Sequence, residues 1–176
     1  MGSLLVEGAL RDRSHFQLVG GTEPEGHPDL GQSLDQDSQA PIENQLKTLT
    51  GQANLIIEFT TPEATIANAQ IAAQAKIPMV IGTTGFTPEQ LKTLKAAAKK
   101  IPIFWSPNMS IGIVIIRKTI SSVSQLLFRF GLGDQTKVSL SETHHSRKKD
   151  APSGTAKALA EELLKAGINV VISGRG

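Results

Sequence analysis

Short apolar runs alternate with helix-like segments through most of the chain, and this alternation constrains the fold more than any other feature. Strands separated by helical segments favour an α/β domain with a parallel sheet, because each crossover helix returns the chain to the same end of the sheet. The pattern predicts strands over residues 16–21, 54–59, 78–81, 101–105 and 135–142. It predicts helices near residues 4–10, 61–75, 87–100, 110–128 and 155–166.

Two of these helices have clear start signals. Thr61-Pro62-Glu63 and Thr87-Pro88-Glu89 each place a capping hydroxyl before a proline in the first turn and an acid just inside it. The continuous apolar run at 54–59 predicts a strand buried on both faces. Residues 22–50 are rich in Gln, Asp, Pro and Gly and predict a long loop with one helical turn.

The strand-helix alternation gives way near Ser110 to a long apolar helix, which predicts a change of domain. We expect a first domain over residues 1–109 and a second over 110–176. In the second, apolar residues at helical spacing predict an amphipathic helix that ends at Gly167.

Composition excludes several classes of protein. Hydrophobic residues make up 39% and charged residues 19%, so the chain can form a packed core. A net charge of +2, one Trp and no Tyr disfavour a nucleic-acid partner. The absence of cysteine excludes disulfides, thiolate zinc sites and a cysteine nucleophile. No apolar run approaches the ~20 residues of a membrane span, so we expect a soluble, cytoplasmic protein without a membrane partner.

The segment ETHHSRKKDAPSGTA, residues 142–156, is the strongest chemical signal. Ser153, Gly154 and Thr155 stand at a predicted helix start, where unpaired backbone N–H groups attract anions. His144, His145 and Lys148 lie just upstream and bring a titratable imidazole and positive charge. The pattern indicates a cradle for a carboxylate or phosphate, and an ordinary capped helix is the alternative.

Two other interpretations of this segment are disfavoured. A metal site on the paired histidines is disfavoured because neighbours on a strand point to opposite faces and no third His is nearby. A serine hydrolase is disfavoured because the sequence has no Gly-x-Ser-x-Gly elbow. His15 and His27 are interpreted as surface residues or as core residues whose hydrogen bonds are satisfied, without a role in a site. We predict no metal.

A second signal is a series of small, hydrogen-bonding residues after three successive strands. In open α/β sheets ligands bind at the carboxyl ends of the strands, so these residues predict a ligand cleft. They are Phe59-Thr60, Gly82-Thr83-Thr84-Gly85 and Ser106-Pro107-Asn108.

A third, weaker signal is Glu23, which follows the first predicted strand by two residues. A dinucleotide fold places an acid about 20 residues beyond its glycine turn to hold the ribose hydroxyls, and Glu23 has this spacing from Gly2. An exposed glutamate in a loop is the alternative.

Residues 142–156 resemble the pattern Glu-x-His-His-x-x-Lys-x-Asp-x-Pro-Ser-Gly-Thr-Ala of 4-hydroxy-tetrahydrodipicolinate reductases. Three further matches follow the same order and spacing over essentially the whole chain, at residues 59–63, 80–86 and 108–112. The resemblance implies a Rossmann-like nucleotide-binding domain joined to a smaller α+β substrate and oligomerisation domain, in a homotetramer. It also implies reduction of 4-hydroxy-tetrahydrodipicolinate with NAD(P)H in the diaminopimelate route to lysine.

The resemblance also implies residue roles. His144 would be the proton donor, with Lys148 as its charged partner, and the substrate carboxylates would be bound by His145, Ser153, Gly154 and Thr155. The nicotinamide end of the cofactor would lie along Gly82, Thr83, Thr84 and the loop Ser106, Pro107, Asn108 and Met109, beside Phe59. Met1 and Gly2 match the end of the family's glycine-rich phosphate turn, and Glu23 matches its ribose acid.

The sequence departs from the family pattern in three respects. The strand and leading glycines of the nucleotide domain and the C-terminal part of the substrate domain are absent, so we expect both domains to be incomplete, as in a fragment. Pro24 follows Glu23 where many relatives have an arginine for a 2′-phosphate, which predicts a preference for NADH, with NADPH as the alternative. The competing functions are another Rossmann-type reductase of a carboxylate and a truncated, inactive paralogue that binds a ligand or forms oligomers.

Overall fold

The computed structural model describes residues 1–35, 39–143 and 152–173 and separates into two compact units, Met1–Ser106 and Pro107–Gly176. All of the pairings between its named strands are parallel, and from residue 56 onward an α-helix lies between each strand and the next. The predicted α/β class with parallel sheets is therefore confirmed.

The described residues of the first unit form three helices, one 3₁₀ turn and five short strands. In chain order they are α1 (Gly2–Arg11), β1 (Gly21–Thr22), β2 (Ile42–Glu43), the 3₁₀ turn Leu46–Leu49, β3 (Ile56–Glu58), α2 (Pro62–Ala75), β4 (Met79–Ile81), α3 (Pro88–Ala98) and β5 (Ile103–Trp105). Strands β3, β4 and β5 form a parallel sheet in that order, and β1 and β2 form a separate parallel pair.

The two predicted helix starts are confirmed in detail. The Thr61 side chain accepts a hydrogen bond from the Ala64 N–H at 3.3 Å, which caps α2. Thr87 and Gln90 form a reciprocal capping box at the start of α3. Because each cap satisfies backbone donors that the helix itself leaves unpaired, the local sequence fixes where both helices begin.

The core of the first unit lies between the β3–β5 sheet and the helices α2 and α3. Small side chains on α2 let the helix approach the sheet closely, and larger aliphatic side chains fill the remaining space. The buried members are Leu46, Ile56, Ala69, Ala72, Ala73, Ile77, Met79, Ile81, Leu94, Ala97 and Ile101.

Two sequence predictions for residues 16–50 were only partly right. The first strand was predicted over residues 16–21, but the observed strand is Gly21–Thr22, because its partner β2 offers two residues for pairing. Residues 22–50 are not a loop throughout. They contain the predicted helical turn, Leu46–Leu49, and also the short strand β2, which the composition of the segment concealed.

The prediction that β3 is buried on both faces was wrong. Ile57 is 45% exposed, whereas its neighbour Glu58 is 3% exposed. Successive strand side chains point to opposite faces, so the covered face of β3 carries Ile56 and Glu58. A carboxylate is therefore buried in the sheet that the apolar run predicted.

In the second unit, residues 107–143 and 152–173 form α4 (Ile111–Arg129), the 3₁₀ turn Gly133–Gln135, β6 (Lys137–Ser141), α5 (Gly154–Lys165) and β7 (Asn169–Ser173). Strands β6 and β7 pair in parallel, from Lys137 opposite Asn169 to Ser141 opposite Ser173. Helix α5 is the crossover between them, and Gly167 follows it at φ 77°, as the predicted stop requires. Strand β7 was not predicted from the sequence.

Helix α4 corrects the expectation that no segment is long and apolar enough to cross a membrane. Its 19 residues reach a mean hydropathy of 1.4, and 6% of its apolar stretch is buried. Length and composition alone are weak evidence for a span, since core helices of other proteins meet the same test. Arg117 and Lys118 lie within one turn of the middle of α4, where charge is costly in a bilayer. Arg117 instead donates a hydrogen bond to Glu162 of α5.

Candidate functional site

The ends of three parallel strands form the candidate ligand site of the first unit. Glu58 pairs in register with Ile81, and Ile81 with Trp105, so all three strands end at one edge. Two backbone hydrogen bonds continue this alignment into the turns, from Gly82 N–H to the Glu58 carbonyl at 2.8 Å and from Ser106 N–H to the Ile81 carbonyl at 3.1 Å. The structure therefore brings together five predicted cofactor residues: Phe59, Gly82, Thr83, Thr84 and Ser106.

Gly82 is required here by the space around it. A Cβ atom at this position would lie 2.0 Å from Cε1 of the Phe59 ring, far inside van der Waals contact. The Phe59 ring therefore packs directly across the Gly82 backbone, and any larger residue would displace the ring. This contact joins two of the predicted cofactor residues across neighbouring strand ends.

Thr83 and Thr84 are adjacent in sequence but differ in exposure. Thr83 is 4% exposed, and its carbonyl accepts a hydrogen bond from Trp105 Nε1 at 3.0 Å. Thr84 is exposed. Trp105 also packs edge-on against Phe86, with ring centroids 5.6 Å apart. The turn thus has an inner residue held by the protein and an outer residue available to a ligand.

The other predicted cofactor residues of the first unit lie at the start of α1 and in the loop after β1. Met1 precedes α1, and its carbonyl accepts the Leu4 N–H at 3.0 Å. Gly2 has open space where a Cβ would be. Glu23 exposes its carboxylate, which lies 4.0 Å from Nε2 of His27. The N–H of Asp29 donates to Nδ1 of His27 at 3.3 Å.

The start of α5 is the candidate anion site of the second unit. Ser153 is 4% exposed, and its hydroxyl oxygen caps the helix by accepting the Ala156 N–H at 3.0 Å. Its own N–H donates to Oε1 of Glu142 at 2.8 Å. Within the described part of the chain, no acceptor is bonded to the N–H groups of Gly154 and Thr155, and no atom lies near the Cβ position of Gly154. The helix mouth can therefore receive an anion through its backbone.

Asn108 links the start of α4 to this helix mouth. Its side-chain N–H donates to the Thr155 hydroxyl at 2.9 Å, and its side-chain oxygen accepts the Ser110 N–H at 2.9 Å. The sequence assigned Asn108 to the cofactor and Thr155 to the substrate. The contact between the two side chains was not predicted, because 47 positions separate them in the sequence. Pro107 and Met109, which flank Asn108, are exposed.

The predicted residues His144, His145 and Lys148 lie outside the described residues. Within the described ranges, no group of three or more histidine or acidic residues has the geometry of a metal site. The buried acid Glu58 and the buried Thr65 of α2 were not predicted from the sequence. Thr65 could have been found from its spacing, because it lies four, seven and eight positions before the buried alanines of α2.

The cap of α5 leads to a prediction that isolates the helix start from the rest of the site. Replacing Ser153 with Ala removes the acceptor for the Ala156 N–H and should lower the free energy of unfolding by about 1 kcal/mol. Urea denaturation measures this change. Ser110→Ala is the matched control, since Ser110 precedes α4 but makes no side-chain cap. Equal effects of the two changes would contradict the capping role of Ser153.

The geometry defines the class of the protein: an α/β protein with a candidate ligand site at the strand ends of its first unit and a candidate anion site at a helix start of its second unit. Two family profiles match it. The profile described as "Dihydrodipicolinate reductase, N-terminus" matches residues 1–109, and "Dihydrodipicolinate reductase, C-terminus" matches residues 112–173. The chain belongs to the dihydrodipicolinate reductase family, as its motifs predicted.

Individual relatives agree with this assignment. A 4-hydroxy-tetrahydrodipicolinate reductase from Lawsonia intracellularis is 50% identical over 109 residues, which cover 62% of this chain and 40% of the relative. One from Burkholderia multivorans is 37% identical over 170 residues, 94% of this chain and 62% of the relative. The chain thus spans 40 to 62% of the length of these two relatives.

A solved structure has the same fold. It is described as "Dipicolinate bound Dihydrodipicolinate reductase from Paenisporosarcina sp. TG-14" and superposes with a TM-score of 0.65 at 23% identity, over 96% of this chain and 73% of that one. At this identity the likeness establishes the fold alone.

Proposed function

We propose that this chain carries the reductase chemistry of its family, the conversion of 4-hydroxy-tetrahydrodipicolinate to tetrahydrodipicolinate with NAD(P)H in lysine biosynthesis by the diaminopimelate route. The observation that carries the proposal is the open helix mouth at Gly154 and Thr155, in the segment that matches the family pattern. A substrate with two carboxylates is the ligand that such a mouth would select, together with the positive charge that the family pattern assigns to Lys148. A cytoplasmic location and a homotetramer belong to the same proposal.

The residues of the first unit fit the nicotinamide end of the cofactor. Gly82 brings backbone to the surface of the strand edge, and Thr84 is exposed beside it. The 4-hydroxyl group of the substrate leaves as water, which gives a conjugated cyclic imine, and the reduced nicotinamide, when bound, supplies a hydride to it. The turn at Gly82–Thr84 would orient the ring, while Phe59 would exclude water from its edge.

The residues of the second unit would bind the substrate and complete the reaction with a proton. The N–H groups of Gly154 and Thr155, with Ser153 and His145, would hold the carboxylates. The reduced substrate is an electron-rich enamine that requires a proton on carbon, and His144 would donate it as a general acid. Lys148 would keep positive charge next to the dianion and would help to hold it against His144.

The direct test is oxidation of NADH in the presence of the substrate, generated in situ from pyruvate and aspartate semialdehyde by the preceding synthase. We expect NADH consumption that requires both the synthase and this chain in its intact polypeptide. If NADH binds but is not consumed, the chain is a ligand-binding paralogue and the proposed activity is wrong. Consumption with another carboxylate alone would instead identify a different reductase of the same fold.

We also propose a preference for NADH, which Glu23 would determine. A carboxylate accepts hydrogen bonds from both ribose hydroxyls but repels a 2′-phosphate, and Pro24 supplies no compensating charge. Replacing Glu23 with Ala should raise the KM for NADH about tenfold, which is the loss expected when a charge-assisted hydrogen bond is removed. The KM values for NADH and NADPH should therefore become more similar. Steady-state kinetics with both cofactors measure this. Glu25→Ala is the control, and a lower KM for NADPH in the unmodified chain would contradict the proposal.

A further inference from the structure

A buried carboxylate lies directly behind the strand-end site. Glu58 is the last residue of β3, and both of its oxygens accept hydrogen bonds, one from the Thr60 hydroxyl and one from Nδ2 of Asn68 at 2.8 Å. A carboxylate in this position is costly unless its oxygens are bonded. The Thr60 hydroxyl is the donor in its hydrogen bond to Glu58, and this bond orients the Thr60 side chain toward the carboxyl group.

A second buried polar residue connects α2 to the neighbouring turn. Thr65 is fully buried, and its hydroxyl donates to Oγ1 of Thr83 at 2.8 Å. The backbone N–H of Thr60 donates to the same Thr83 oxygen at 3.1 Å. One hydroxyl oxygen therefore receives two hydrogen bonds, from the helix behind the sheet and from the end of the adjacent strand.

These contacts hold Thr83 from the inside. Its hydroxyl oxygen accepts hydrogen bonds from the Thr65 hydroxyl and the Thr60 N–H. Its carbonyl oxygen accepts one from the indole N–H of Trp105. Thr84, the next residue, carries none of these contacts and is exposed. The conformation that presents Thr84 is thus set in part by Thr65, which is itself fully buried.

We propose that Thr65 is a positioning residue, whose hydroxyl fixes the Gly82–Thr84 turn in the shape that receives the nicotinamide end of the cofactor. Glu58 assists by fixing Thr60, the second donor to Thr83. The inference rests on the proposed function, since it assigns the turn to the cofactor. It goes beyond that function because Thr65 and Glu58 are buried and act on the turn through Thr83 and Thr60.

The other residues on the buried face of α2 indicate that position 65 requires the threonine hydroxyl and not only a side chain of this volume. The other buried residues of α2 are Ala69, Ala72 and Ala73, which are small and apolar. A branched residue of the same size as threonine, such as valine, would fill the space at position 65 equally well. What valine cannot supply is the donor to Thr83, and a buried acceptor that loses its donor must find another partner or shift.

Two substitutions separate the hydrogen-bonding role of the Thr65 hydroxyl from the packing of its side chain. Thr65→Val keeps the volume and removes the hydroxyl, whereas Thr65→Ser keeps the hydroxyl and removes a methyl group. Trp105 is the single tryptophan of the chain, and its indole N–H bonds the Thr83 carbonyl, so its emission reports the turn without any ligand. Binding of NADH is measured in the same 176-residue chain by energy transfer from Trp105.

We expect Thr65→Val to shift the Trp105 emission of the free chain and to weaken NADH binding by about three- to tenfold, the range expected for one hydrogen bond. Thr65→Ser should keep the emission and the affinity of the unmodified chain while lowering Tm by a few degrees, about 4 °C. Unchanged emission and affinity in Thr65→Val would overturn the proposal. Equal losses in the two variants would overturn it as well, because they would indicate packing.

The same data distinguish this inference from the proposed function. If the unmodified chain does not bind NADH, the proposed cofactor use fails. The emission of free Thr65→Val and Thr65→Ser then still decides whether the hydroxyl holds the turn. A shift in Thr65→Val alone supports that role, and the absence of a shift contradicts it.

Discussion

Replacing His144 with Gln is expected to lower kcat by about 10²- to 10⁴-fold in the intact polypeptide, the usual contribution of a positioned general acid. Glutamine keeps the polar character of the side chain but cannot donate a proton with the acidity of an imidazolium. The enamine formed by hydride addition would then be protonated by water, which is slower. The loss should fall on kcat more than on KM, because the missing interaction is made in the transition state.

His145→Gln provides the comparison within the same segment. We assign His145 to the substrate carboxylates, so this change should raise the KM for the substrate more than it lowers kcat. His15→Gln is the control, because His15 belongs to the first unit and bonds Asp12 at 2.8 Å on the surface. Steady-state kinetics with substrate generated in situ measure all three variants.

The pH profile of kcat gives a second test of His144. An imidazole acid should produce a limb near neutral pH along which kcat falls as the acid loses its proton, and His144→Gln should remove this limb. A variant with normal turnover, or one that retains the limb, would show that another group donates the proton. Lys148→Met should leave the limb in place and raise the KM for the dianionic substrate, since it removes charge and not the acid.

The sequence predicted best the elements that local chemistry decides. The starts of α2 and α3 follow from Thr61-Pro62 and Thr87-Pro88, which act within one turn of the chain. Strands β1 and β7 were misjudged, since pairing with a distant partner decides whether a short segment becomes a strand. The boundaries of a strand thus depend on residues that its own sequence does not contain.

In the candidate site, too, some features follow from the local sequence and others depend on distant parts of the fold. The alignment of Phe59, Gly82 and Ser106 could be predicted, because parallel strands always end at a common edge. The exposure of Ile57 and the burial of Glu58 could not be predicted, because an apolar run does not indicate which face of the strand is covered by the rest of the protein. The hydrogen bond between Thr65 and Thr83 depends on how α2 lies against the sheet, which only the fold determines.

Replacing Gly167 with Ala is expected to destabilise the second unit by about 2 to 5 kcal/mol, through two effects at one position. Gly167 has φ 77°, a conformation that costs a residue with a Cβ about 1 to 2 kcal/mol. A Cβ there would also lie 2.8 Å from Cζ of Phe128, so the ring must move, and such overpacking costs about 1 to 3 kcal/mol. Phe128 lies on α4, which makes the contact a link between α4 and the end of α5.

Two other glycines of the second unit separate these effects. Gly131 has φ 73° and open space around its Cβ position, so Gly131→Ala should incur the conformational cost alone, about 1 to 2 kcal/mol. Gly133 has no positive φ, but its Cβ would lie 2.6 Å from the Phe128 ring, so Gly133→Ala should incur the steric cost alone, about 1 to 3 kcal/mol. Urea denaturation of each variant measures the change in the free energy of unfolding.

Combining each change with Phe128→Leu identifies the steric part directly. Leucine lacks the far atoms of the ring that approach Gly167, so Gly167→Ala should destabilise less in the Phe128→Leu background than in the unmodified chain. Gly131→Ala should destabilise equally in both backgrounds, because no atom lies near its Cβ position. If Gly167→Ala were also independent of Phe128, its cost would come from the backbone alone and should equal that of Gly131→Ala. The close contact between Phe128 and Gly167 would then contribute nothing to how α4 packs against the end of α5.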